Sequence, residues 1–132
     1  MRDYCDDCVR LYTSLTGCEK FKAARTPFLP DNSCPATDDE KKGELGAHAC
    51  KCLMKCLWLG RLARPDVCKA VNDLTTQVQK WNRNHDRRLY RIFCYLKSTR
   101  NHMLAGHVGD HPDKLFLRCY TDADFCLSLI HI

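Results

Sequence analysis

Apolar residues recur at helical spacing in four stretches of the chain. In the first, Tyr4, Cys8, Leu11 and Leu15 stand at i, i+4, i+7 and i+11, which predicts one apolar stripe on a helix that stops near Gly17. A second helix is predicted from near Glu44 to about Leu62. Leu45, Ala49, Cys52, Leu53, Cys56 and Leu59 share its inner face, and Lys51 and Lys55 lie opposite. Pro65 suits the first turn of a third helix, whose stripe is Val67, Val71, Leu74, Val78 and Trp81. The fourth is expected to open at Asn84 or His85 and to turn Leu89, Ile92, Phe93 and Leu96 inward. The short links between the last three helices favour antiparallel neighbours.

Two other stretches have no helical period. Pro27, Pro30 and Pro35, followed by the charged run 38–42, exclude a helix and predict an extended connector. Past Arg100, residues 103–108 and 114–120 have strand character around a polar turn at 109–113. The expected fold is mainly α: a small bundle of about four helices followed by a β-hairpin.

Composition narrows the class. A chain of 132 residues, 45% of them hydrophobic and with both signs of charge, can bury a modest core and is not expected to be disordered. No apolar run approaches the roughly 20 residues of a membrane span. Met1-Arg2-Asp3-Tyr4 carries no apolar signal region, so the expected location is intracellular, in cytoplasm or nucleus, with no membrane partner. A net charge of +5 permits contact with nucleic acid without requiring it. Eleven cysteines is an odd number, against a secreted disulfide scaffold. The short pair Cys5 and Cys8, with Cys50, Cys52 and Cys56 as the next cluster, has the wrong spacing for a zinc ribbon or finger. Most cysteines fall on helix faces and are expected to act as small buried hydrophobes. His102, His107 and His111 are loosely spaced and expected at the surface.

Charge is clustered on the fourth helix. Arg87, Arg88 and Arg91 project opposite its apolar side, with Tyr95 among them and Arg83 and Arg100 at the ends. Such a face could follow a phosphate backbone while the tyrosine packs against sugar or base. A solvated helix face is the other meaning of such a row.

Four short signatures carry a family resemblance. They are Thr26-Pro27-Phe28-Leu29, then Ala63-Arg64-Pro65-Asp66-Val67 with Ala70, Val71 and Leu74. Tyr95-Leu96-Lys97-Ser98-Thr99 and Tyr120-Thr121-Asp122-Ala123-Asp124-Phe125 complete the set. In this order the chain resembles the C-terminal part of a copia-type retrotransposon reverse transcriptase running into its RNase H domain. Ser98 departs from the family's usual Gly, and Phe125 from its usual Trp.

The resemblance implies a division of the chain. Residues 1–25 would be the terminal helix of the reverse transcriptase region, 26–43 the connector, 44–101 a helical bundle like a thumb or connection, and 102–125 the start of RNase H. Residues 127–132 resemble a translated transposase adapter, so 126–132 is expected to be a non-native tail. The parent would be an RNA-directed DNA polymerase and ribonuclease H using Mg2+ or Mn2+ on an RNA–DNA duplex, and its other partner would be the remainder of the Pol polyprotein. Asp122 would be the first RNase H carboxylate, with Asp124 as second choice. Asp122 would hold metal only if that domain were complete, because two-metal hydrolysis needs several carboxylates. The fragment itself is expected to be inactive, with no cofactor.

Tyr4-Cys5-Asp6-Asp7 has the form of a polymerase Tyr-x-Asp-Asp hairpin. The helical period around it, with Asp6 and Asp7 opposite the stripe, predicts solvated helix carboxylates instead. A reading from a different class also stays open: a small basic helical module that binds nucleic acid or a partner protein, with or without structural zinc.

Overall fold

A computed structural model describes residues 2–30, 33–102, 104–105, 109–114 and 116. Among these, the fold is mainly α, with four α-helices: α1 (Arg2–Thr16), α2 (Gly46–Leu62), α3 (Cys68–Thr75) and α4 (Arg83–Ser98). None is long and apolar enough to cross a membrane.

The amphipathic α4 packs against both α1 and α3. Its Leu89, Ile92, Phe93 and Leu96 are buried, as the period predicts, and Cys94 joins them. From α2, Ala49, Cys52, Leu53, Cys56 and Leu59 meet this core, and from α3 come Val71 and Leu74. Gly60 is where α2 meets the start of α3. A Cβ there would lie 2.9 Å from the Cys68 sulfur, so any larger residue would have to displace that side chain.

Differences from expectation at the start of α4, the end of α3 and the face of α1 each have a physical reason. α4 begins at Arg83 rather than at Asn84 or His85. Asn82 Oδ1 accepts from the His85 amide (3.0 Å) while the Asn82 amide donates to His85 Nδ1 (3.1 Å), a reciprocal capping box. α3 stops at Thr75, short of Val78 and Trp81. The Thr75 and Thr76 hydroxyls donate to the carbonyls of Asn72 and Asp73, an alternative that β-branched residues take readily at a helix end. The chain then passes through a 3₁₀ turn (Val78–Lys80), and the next residue, Trp81, is buried beside His85. On α1 the buried face is Cys5, Cys8, Val9 and Tyr12, with Tyr4, Leu11 and Leu15 packed at its edge. The difference is a small rotation that seats Tyr12 on Phe93, ring centroids 4.3 Å apart.

Among its described residues the connector has a 3₁₀ turn (Ala36–Asp38) and otherwise no helix. An isolated antiparallel bridge, Lys42 to Asn82, closes it against the start of α4. Among the described residues there is no strand, and 112–114 form a 3₁₀ turn. Most of the two strands expected at 103–108 and 114–120 lies outside the described residues.

Nine cysteines lie among the described residues, all as free thiols. Burial pushes the Cys52 thiol up to about 11. A hydrogen bond with Cys8, reinforced by burial, lifts Cys56 well above its ordinary value. Since the thiolate is the reactive form, Cys50, which is exposed, should be alkylated first in native protein. Cys52 and Cys56 should resist until the chain is unfolded. Iodoacetamide labelling followed by peptide mass spectrometry checks the order, and early labelling of Cys56 would contradict this packing.

Candidate nucleic-acid interface

The three arginines singled out on α4 meet different fates. Arg87 is half-exposed, and its Nη2 lies 2.6 Å from Oδ2 of the buried Asp38. Lys41 donates to the other Asp38 oxygen at 2.9 Å. That hydrogen bond holds the Asp38 carboxyl below its ordinary value against the upward push of burial. Arg91 turns back on the connector, its Nε donating to the carbonyls of Thr26 (2.9 Å) and Phe28 (3.1 Å). Arg88 is exposed and forms no ion pair among the described residues. Its charge acts with burial to lower the pKa of His85.

Tyr95 is not beside them. It is buried on the other flank of α4, where its hydroxyl donates to Asp66 Oδ2 at 2.6 Å. Burial, and then that bond, raise the phenol's pKa. The structure therefore separates Tyr95 from the three arginines, where the sequence placed it among them, and leaves it 6% exposed. The exposed aromatic residue that the fold sets beside Arg88 and Arg91 is Phe28. It is exposed, its carbonyl is held by Arg91, and it lines a groove of about 390 Å³ with Arg88, Pro27, Leu29 and Leu74. Sequence reasoning missed Phe28 because the contact joins residues 63 apart and has no period.

A second polar cluster lies around Tyr95. Arg64, just before the 3₁₀ turn (Pro65–Val67) that leads into α3, is buried. Its guanidinium donates to both Asp66 oxygens (Nε 3.0 Å, Nη2 2.8 Å) and to Thr99 (Nη1 to the carbonyl, 2.9 Å; Nη2 to Oγ1, 2.7 Å). Its carbon Cζ stands 5.4 Å from the Tyr95 ring centroid. Burial alone would raise the Asp66 carboxyl, but the bonds from Arg64 and Tyr95 outweigh it and lower the pKa. The guanidinium is thus paired with a counter-charge and bonded through all three of its nitrogens, which suits a structural clamp rather than a ligand site.

No protein-family model, curated protein or solved structure matches this chain. The remaining candidates therefore stand on their own placement. Asp6 and Asp7 lie on α1, in a helix rather than a hairpin; Asp6 pairs with Arg100 and Asp7 with Arg10. They are paired helix carboxylates, half-buried rather than freely solvated. Asp122 and Asp124 lie outside the described residues. Among the described residues, no group of three or more His, Cys, Asp or Glu side chains is arranged to hold a metal ion.

Proposed function

We propose that this chain is the helical segment between polymerase and RNase H in a copia-type retrotransposon polyprotein. In this reading it performs no chemistry and helps hold the RNA–DNA duplex. One observation carries the reading. Arg64 and Asp66 belong to one family-like signature, Tyr95 and Thr99 to another, and the residues lie 29 to 35 positions apart. Chance matches to two short motifs have no reason to be two halves of one clamp. Here they are bonded to one another. The Thr26-Pro27-Phe28 signature, likewise, is the stretch that Arg91 holds.

On this reading Asp122 is the first carboxylate of the following RNase H, with Asp124 as second choice, and Mg2+ or Mn2+ acts in the intact parent. Duplex contact falls to Arg88 and Phe28, with Arg87 available if it leaves Asp38.

The test is a transplant. Residues 26–101 replace the matching segment of an active copia-type polyprotein, and cDNA synthesis is measured. Synthesis should persist, and Arg88→Glu in the transplant should flatten the salt dependence of RNA–DNA duplex binding by roughly one unit of log–log slope. A transplant that is expressed, folded and unable to make cDNA would sink the proposal. An unchanged salt slope would remove Arg88 from the interface.

A further inference from the structure

A helix needs one apolar stripe to join a bundle, and α2 has two. Ala49, Cys52, Leu53, Cys56 and Leu59 face the core. On the opposite side Met54, Trp58 and Leu62, each one turn from the next, are 46%, 56% and 51% exposed. Single exposed apolar side chains are ordinary; a continuous row of three large ones marks a contact surface. Trp58 stands at the centre of the row, the position and residue type that most often dominate binding energy.

Charge narrows the occupant. Lys55 and Arg61 flank the row on either side, and Lys51 lies seven residues before Trp58 on the same side. None of the three is in an ion pair among the described residues; Lys55 reaches over the Tyr4 ring at 5.4 Å. The helix contains no acidic residue.

We infer that this face of α2 docks an amphipathic helix of a partner protein. The partner's leucine- or methionine-type ridge seats on Met54, Trp58 and Leu62, and its flanking carboxylates meet Lys51, Lys55 and Arg61. A second copy of the chain docking α2 on α2 would set cations against cations. Nucleic acid would engage Trp58 and the cations but leave Met54 and Leu62 with nothing apolar to cover them. The inference does not depend on the polymerase reading, because it uses none of the four signatures.

The test uses the full chain and a labelled synthetic helix with leucines at i, i+4 and i+7 flanked by glutamates, followed by fluorescence anisotropy. Saturable binding should weaken at least about tenfold in Trp58→Ser, and salt should loosen it. A peptide with lysine in place of glutamate should bind at least about tenfold less tightly than the acidic one. Circular dichroism of Trp58→Ser should match the parent, since the side chain is exposed. Failure of the acidic peptide to bind, or binding indifferent to Trp58→Ser or to peptide charge, overturns the inference. So does a dimer in sedimentation that Trp58→Ser dissolves. Phosphatidylserine vesicles or oligo(dT) shifting the tryptophan emission of the parent, but not of Trp58→Ser, while the peptide does not, would equally overturn it.

Discussion

Phe93→Ala is expected to destabilise the fold by about 3–5 kcal/mol, the range for emptying a fully buried aromatic site. Phe93 is completely buried near the middle of α4 and stacks on Tyr12 at 4.3 Å. Tyr12 in turn lies 6.2 Å from Phe21 and 6.5 Å from Tyr90. Removing the ring therefore opens a cavity where α1 leans on α4 and where the segment after Gly17 folds back over both. Alanine also gives up the aromatic pair itself, on the order of 1 kcal/mol beyond burial. Domains of this size hold roughly 5–15 kcal/mol in all, so the loss takes a large share of the total and the unfolding midpoint should fall clearly. Urea titration followed by circular dichroism checks it. Leu62→Ala, at an exposed position, serves as the control and should change the midpoint little. A Phe93→Ala midpoint equal to the control's would mean that α1 does not pack on α4 in this register.

Asp66→Ala should cost about 3 kcal/mol, the lower end for breaking a buried ion pair. The Arg64 side chain is 4% exposed and would lose its counter-charge, whereas the Asp66 side chain is 35% exposed, which lets water soften the loss. Tyr95 would lose its acceptor in the same change. Replacing both partners, Arg64→Met with Asp66→Leu, should recover much of the stability, since the cost lies in the orphaned charge. The pH dependence has a defined sign. A carboxyl whose folded pKa is depressed contributes stability that is fully present above its ordinary value of 3.8 and lost as pH falls through the folded value. The stability gap between the parent and Asp66→Asn should therefore narrow in acid. A gap that widened below that pH would show that Asp66 is not ionised in the clamp.

The inner faces of α2 and α4 were legible because large apolar residues repeat there without interruption and each has one consistent side. α1 was harder to read. Tyr and Cys serve on either side of a helix, so a stripe through Tyr4 and a face through Tyr12 look equally good until Phe93 supplies the partner. The period of α3 ran on through Val78 and Trp81, and what ends the helix is two threonine hydroxyls with main-chain acceptors at hand. The basic row on α4 was visible as a row, but the fate of each arginine depended on groups far along the chain. Asp38 took Arg87, and two carbonyls took Arg91. Tyr95 shared the arginines' helix yet went to Asp66, 29 residues away, a pairing that no local rule selects. The opposite charges of Arg64 and Asp66 on either side of Pro65 were a usable sign of a clamp, though not of its partners.

Arg91 grips the connector by its backbone, and this bears on mutational tolerance. Phe28 contributes a carbonyl, an atom every amino acid has, so its side chain can vary without loosening the attachment. The burden falls on one position of α4. Both carbonyls accept from Arg91 Nε, and lysine has no donor at that point of its side chain, its one nitrogen lying a bond further out. In a saturation library scored for folding, position 28 should accept wide substitution while position 91 accepts little besides arginine. The connector can thus change its chemistry, and what it presents to a ligand, while keeping its place on the bundle.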